Sequence, residues 1–138
     1  MGQSARDVTV RAIDLFNREF AAGRSGVSDE TRDAWVAEPR IVPFRAALEG
    51  NEYSGPCALD DFAAATRESW SWIRIEVREV RELDSEHVLV LGELVGSGRE
   101  TGVEARAPVA FFFFVQAGRM AEAHTHASEA EALVAAGR

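Results

Sequence analysis

The second half of the sequence alternates between apolar and polar residues, and this alternation constrains the fold more than any other feature. Apolar residues share one side of a stretch whose other side carries arginine and glutamate: Ile73, Ile75, Val77 and Val80. A period of two indicates a β-strand with one buried face. Asp84-Ser85 then predicts a turn and Val88–Val95 a returning strand. Together the two strands form an antiparallel hairpin.

Two more strands are predicted after this hairpin. Val103–Val115 forms the third long strand, Ala117-Gly118 turns the chain, and Arg119–Ala127 forms the fourth. Neighbouring strands joined by short turns predict an antiparallel meander.

The first half of the chain predicts helices with one short strand. Ser4 and Asp7 have capping-box spacing, and we expect the first helix to end at Gly23. A second helix is predicted over Ser28–Glu38, with Trp35 as its core anchor, and a short strand over Arg40–Leu48.

The third and last helices complete the predicted fold. The third helix begins at Ser54-Gly55-Pro56 and presents Phe62 and Trp70, and a short closing helix follows Ser128. Helices that precede a run of strands indicate an α+β fold with an antiparallel sheet, not alternating βαβ units.

Length and charge narrow the possible classes of protein. The 138 residues suit one domain, spanning 1–138, and we expect it to be cytoplasmic because no segment resembles a signal peptide or a membrane span. A net charge of -8 disfavours nucleic-acid and membrane partners. A lone cysteine cannot form an internal disulfide. Every basic residue is arginine and alanine is abundant, which suggests a GC-rich bacterial genome.

Several short segments, taken in their order and spacing, resemble the nuclear-transport-factor-2-like superfamily. They are Tyr53-Ser54-Gly55-Pro56, the turn Gly98–Glu104, Ala117-Gly118-Arg119-Met120 and the tail 131–137. Within the superfamily the chain is similar to SnoaL-like, polyketide-cyclase-related proteins. This resemblance implies a cone-shaped curved antiparallel sheet packed against three helices from the N-terminal half, the cystatin-like α+β barrel. It also implies a ligand pocket on the concave face and a homodimer formed through the outer sheet face.

Apolar and aromatic residues are the candidates for contacting a ligand in such a pocket. Phe111-Phe112-Phe113-Phe114 places two rings on each face of one strand, and we expect Phe112 and Phe114 to face the pocket. The predicted ligand-binding residues are Phe16, Phe20, Trp35, Phe62, Trp70, Phe112, Phe114 and Thr125.

The resemblance also implies positions for catalytic residues, and this chain departs from them. The tyrosine and two carboxylates of ketosteroid-isomerase-like members correspond to Phe16, Val42 and Phe112. The arginine and two aspartates of epoxide-hydrolase-like members fall nearest to Leu94, Gly96 and Thr125. These replacements lack acid–base groups suited to the proton transfers of either chemistry. The sequence therefore disfavours steroid-isomerase chemistry.

His124, His126 and Tyr53 are the remaining candidates for catalysis. Histidine exchanges protons near neutral pH, and Glu122, His124 and His126 share one face of the last strand. We favour the outer face for this cluster, although a one-residue bulge would turn a histidine into the pocket. Tyr53 could place its hydroxyl at the pocket mouth. No third metal ligand is identifiable, so no metal is expected.

Two functions remain open from the sequence. The first is a cofactor-independent enzyme of the isomerase, cyclase or hydrolase type that transfers protons on an apolar or polyketide-like substrate. The second is a module of the same fold that binds a ligand or dimerises without catalysis. The missing carboxylates favour the second, and the family resemblance favours the first.

Overall fold

The computed structural model describes residues 4–21, 26–43 and 52–137. Its helices are α1 (Ala5–Glu19), α2 (Asp29–Asp33), α3 (Ala58–Ser69) and α4 (Glu129–Ala135). Its strands are β1 (Trp35–Val42), β2 (Tyr53–Ser54), β3 (Trp70–Glu82), β4 (His87–Gly98), β5 (Glu104–Gln116) and β6 (Arg119–His126).

The six strands form one curved, unclosed sheet in the order β2-β1-β6-β5-β4-β3. The meander from β3 to β6 is antiparallel, as the alternating sequence predicts. The prediction of a wholly antiparallel sheet is wrong at one place, because β1 runs parallel to β6. The α+β class is confirmed, with α1 packed across the inner face of the sheet.

Side-chain caps start three of the helices where the sequence predicts them. The hydroxyl of Ser4 accepts a hydrogen bond from the Asp7 amide at 3.1 Å, and Ser128 accepts one from Glu131 at 3.2 Å. Ser28 caps α2 in the same way. Each cap satisfies an amide that the first helical turn leaves unpaired. The predicted end of the first helix, Gly23, lies outside the described residues.

The second helix is shorter than predicted, because Trp35–Glu38 belong to β1 and not to a helix. The Met120 amide donates to the Ala34 carbonyl at 2.8 Å, and Trp35 pairs with Met120. This pairing with a strand about 85 residues later outweighs the local helical pattern. Pro39 sits where the register shifts between Trp35 and Arg40, a place that tolerates a residue without an amide hydrogen. The part of the predicted first strand beyond Pro43 lies outside the described residues.

The main core lies on the inner face of the sheet, and the Asn17 side chain of α1 forms two hydrogen bonds to the β3 backbone there. The Asn17 amide donates to the Ile75 carbonyl at 3.0 Å and accepts from the Ile75 amide at 2.7 Å. Ile73 and Ile75 are buried, as predicted, whereas Val77 is 44% exposed. Val77 lies on the edge strand β3, directly before the register shift between Val77 and Glu79. Trp70 is the first residue of β3, not part of the third helix.

Candidate functional site

A cavity of about 220 Å³ lies between the inner sheet face and helices α1 and α3. Its lining is almost wholly apolar and aromatic, with side chains from α1, α3 and every long strand. Six of the eight predicted ligand-binding residues border it: Phe16, Phe20, Trp35, Phe62, Trp70 and Thr125. The structure thus brings these six together, and their contact with a ligand stays a prediction.

The helical wall of the cavity is a cluster of three phenylalanine rings. The ring centroids of Phe16 on α1 and Phe20, the residue that follows α1, are 4.7 Å from each other. Phe62 of α3 meets Phe20 edge to face with the centroids 6.2 Å apart. Such tilted arrangements are favourable for aromatic pairs, so this wall is held in shape by its own packing.

Phe112 and Phe114 do not line the cavity, and the prediction for these two residues is wrong. Phe111 and Phe113 face inward instead, with their rings stacked at 5.5 Å. The four-residue run does not show which pair points inward, because each face receives two rings. The longer strand does show it. The residues that share a side of β5 with Phe111 and Phe113 include the buried Val109 and Val115. Those that share the other side with Phe112 and Phe114 include the exposed Arg106, Pro108 and Gln116, so this second side faces outward.

Phe112, the residue matched to a catalytic carboxylate by the family resemblance, does not border the cavity. The neighbours that do face the cavity, Phe111 and Phe113, are equally unable to transfer a proton. Phe16, Leu94 and Thr125 border the cavity as their assigned positions require. Gly96 lies against the ring of Trp70, since a Cβ there would approach that ring to 2.8 Å.

The two candidate catalytic histidines lie on the outer sheet face. Thr125 borders the cavity, and strand alternation turns His124 and His126 the other way. A bulge occurs on β6, but it falls between the pairs Phe114–Glu122 and Val115–Met120, before the histidines. His124 contacts the Glu122 carboxylate at 3.0 Å from its Nε2. Burial, with repulsion from His124, lowers the pKa of His126.

Tyr53 lies behind the cavity wall instead of within it. It pairs with Ile41 at the edge of the sheet, and its ring meets Phe62 edge to face at 5.9 Å. The described cavity lining does not include Tyr53.

Among the described residues, the only ionisable side chain that borders the cavity is Glu19, which the sequence prediction missed. Glu19 ends α1 and is 5% exposed. The Ser28 amide donates to its Oε1 at 2.7 Å, and the Arg67 guanidinium lies 3.6 Å from its Oε2. A signal for it was present: Val8, Ala12, Leu15 and Glu19 follow one helical stripe, so a carboxylate occupies a core position.

Glu19 is held in its charged form. Burial opposes ionisation, but hydrogen bonds from the Ser28 amide, from the Ser28 and Thr31 side chains, and then the Arg67 charge outweigh it and lower the pKa of Glu19. A carboxylate with a lowered pKa is a weak base, so the geometry suits binding and orientation better than proton abstraction.

The described residues were also compared with the requirements of a membrane span and of a metal site. None of the helices in the described ranges has the length and apolar character needed to cross a bilayer. Within those same ranges, no group of three or more His, Cys, Asp or Glu side chains is placed to hold a metal ion.

The shape of the chain is similar to many solved structures, although its sequence is not. No protein-family model matches the sequence, and no curated protein matches it. An NTF2-like protein of unknown function from Burkholderia pseudomallei K96243 has a TM-score of 0.72 at 17% identity, with 96% of this chain and 97% of that chain covered. A provisionally named SnoaL-like polyketide cyclase from Jannaschia sp. CCS1 has a TM-score of 0.68 at 17% identity, covering 88% and 83%.

A third similar structure contains a ligand. TerC, co-crystallised with polyporic acid, has a TM-score of 0.72 at 12% identity, covering 93% of this chain and 95% of that chain. These likenesses show that the chain has the nuclear-transport-factor-2-like fold, the fold that its sequence resemblance predicts.

Proposed function

We propose that the protein binds a small apolar molecule, of polyketide-like character, in the cavity between the sheet and α1. The observation that carries this proposal is the cavity itself, whose lining within the described ranges is aromatic and aliphatic except for one carboxylate and three threonines. Buried apolar surface of this kind is the main source of affinity for small ligands. An apolar cavity of about 150 Å³ is large enough to take up benzene. The cavity here, at about 220 Å³, has room for an alkylbenzene.

Names of similar structures support the chemical class. One is provisionally named a polyketide cyclase, and another was crystallised with polyporic acid. The same names support the rival function, a cofactor-independent proton-transfer enzyme. We favour binding because His124 and His126 lie outside the cavity and Glu19, the one carboxylate that borders it in the described part of the chain, is a weak base.

Ethylbenzene should bind to the protein with a dissociation constant between about 10 µM and 1 mM, as measured by calorimetric titration. Ala123→Leu should weaken this binding at least about tenfold, because Ala123 borders the cavity and a larger side chain would occupy it. The matched control is Ala105→Leu, on an exposed position of β5, which should leave the affinity unchanged. Equal binding by both variants would place the ligand elsewhere and contradict the proposal.

We also propose that the chain forms a homodimer through the outer sheet face. Phe112 and Phe114 are only half-buried there, and the His87 ring stacks on both, at centroid distances of 5.3 and 5.1 Å. Helix α4 already covers the adjoining part of this face at Leu89 and Leu91. A second copy would bury the remaining aromatic surface.

Light scattering at micromolar concentration should give the mass of a dimer, and Phe114→Glu should give that of a monomer. The charge would have to be buried without a partner in the interface, which is costly. Val10→Glu, on the exposed face of α1, is the control and should remain dimeric. A monomeric wild-type protein would rule out this interface.

A further inference from the structure

Among the residues that the structure describes, the wall of the apolar cavity carries one charged group, and the protein uses only part of its hydrogen-bonding capacity. Glu19 has two carboxylate oxygens, which together can accept about four hydrogen bonds. Its Oε1 accepts from the Ser28 amide at 2.7 Å. The side chains of Ser28 and Thr31 also stabilise the charged carboxylate and lower its pKa. Its Oε2 lies 3.6 Å from the Arg67 guanidinium, which is longer than a good hydrogen bond. The Glu19 carboxylate can therefore accept a further hydrogen bond at the cavity wall.

Charge at this end of the cavity is nearly balanced. Arg67 offsets the charge of Glu19, while its guanidinium donates to the Gly26 carbonyl at 2.5 Å and lies 5.0 Å above the Phe20 ring. An ammonium group on a ligand would gain little, because Glu19 attracts it and Arg67 repels it. A ligand carboxylate would meet the Glu19 carboxylate first and be repelled. A neutral donor avoids both costs.

We propose that the cavity takes an apolar ligand that carries a neutral hydrogen-bond donor, such as an alcohol or phenol, at the end that reaches Glu19. This proposal rests on the proposed binding function and names the class of ligand more closely. Glu19 is a binding and orienting residue here. It accepts the ligand hydroxyl's hydrogen bond and removes no proton, so no reaction step is implied.

The other polar residues of the lining make Glu19 the preferred partner for such a donor. Thr66 donates its own hydroxyl to the Phe62 carbonyl at 2.8 Å, and the Thr31 hydroxyl contacts Ser28 at 3.0 Å. Thr125 of β6 also borders the cavity, but its hydroxyl is a neutral acceptor for a ligand's hydrogen-bond donor. Hydrogen bonds to an ionised acceptor are stronger than those between neutral groups.

Three ligands with one hydrocarbon skeleton test the proposal on the whole wild-type protein: ethylbenzene, 4-ethylphenol and 4-ethylbenzoate. Calorimetric titration at pH 7 should show 4-ethylphenol binding about tenfold more tightly than ethylbenzene. The benzoate should bind at least about tenfold more weakly than ethylbenzene. Equal affinity of phenol and hydrocarbon would overturn the proposed donor preference while leaving apolar binding intact. Failure of all three to bind would instead overturn the proposed function.

The variant Glu19→Gln tests whether Glu19 causes the preference for 4-ethylphenol over ethylbenzene. The phenol should lose most of its advantage, since the negative charge is gone. The benzoate should lose only part of its disadvantage, because the cost of burying its own charge remains. Glu30→Gln is the matched control, because Glu30 is exposed and pairs only with Arg18 at 3.1 Å among its described contacts. Its ligand preferences should equal those of the wild type. An unchanged preference in folded Glu19→Gln would contradict the assignment, and the wild-type series decides the donor preference if that variant does not fold.

Discussion

Replacing Gly92 by alanine should lower the free energy of unfolding by about 3 kcal/mol, more than any other single methyl group added to the sheet. Gly92 lies in β4, opposite Val77 of β3 and Val109 of β5. A Cβ atom there would stand 2.1 Å from the Glu76 carbonyl oxygen and 3.2 Å from the Val77 Cα. These are backbone atoms, so the strands must separate to make room. Urea unfolding followed by circular dichroism measures the loss.

Gly98→Ala is the matched control on the same strand. A Cβ at Gly98 meets only the Thr101 side chain, at 2.7 Å from its hydroxyl oxygen. Turning that side chain away breaks one exposed hydrogen bond, from the Val103 amide, and moves no backbone. Alanine is also no worse than glycine in an extended strand, so we expect a change within about 0.5 kcal/mol. If Gly92→Ala lowered the free energy of unfolding as little as Gly98→Ala does, β3 would have to be able to move aside at Gly92, and the prediction would be wrong.

Local sequence patterns predicted most of this fold because most of its pairings are local. The hairpin of β3 and β4 and the meander through β6 join neighbouring segments across short turns, so period-two alternation and turn residues suffice. The start of β1 at Trp35 could not be predicted in this way. Its partner is Met120, and nothing near Trp35 in the sequence indicates a distant parallel strand.

The candidate site was predicted less completely than the fold, for two separate physical reasons. A strand that is apolar on both faces does not show which residues point inward. Phe112 and Phe114 were therefore predicted to line the cavity, whereas Phe111 and Phe113 do so. The histidines were predicted as catalytic candidates because imidazole titrates near neutral pH, whereas Glu19 carries no such signal in the sequence. Glu19 is distinguished by where it lies: it is a charged residue at a core position of α1, on an otherwise apolar helical stripe.

Glu19→Gln should lower the free energy of unfolding by about 2 kcal/mol at pH 7, and this loss should shrink at acid pH. The Glu19 carboxylate is buried and joins the end of α1 to Ser28 and to Arg67 of α3, so the neutral amide weakens three elements at once. The pKa of Glu19 is lowered in the folded protein from its ordinary 4.5. A depressed pKa contributes stability above the unfolded value, and that contribution disappears as the pH falls through the folded value.

Urea unfolding of wild type and variant between pH 8 and pH 3 measures this difference directly. Other carboxylates titrate in both proteins, so their effects cancel in the comparison. The difference should stay constant down to about pH 5 and narrow below the ordinary glutamate pKa of 4.5. Glu30→Gln, which breaks a pair whose side chains are 67% and 63% exposed, should cost at most about 0.5 kcal/mol. A Glu19→Gln loss that persists unchanged to pH 3 would show that its cost comes from amide packing and not from the charge.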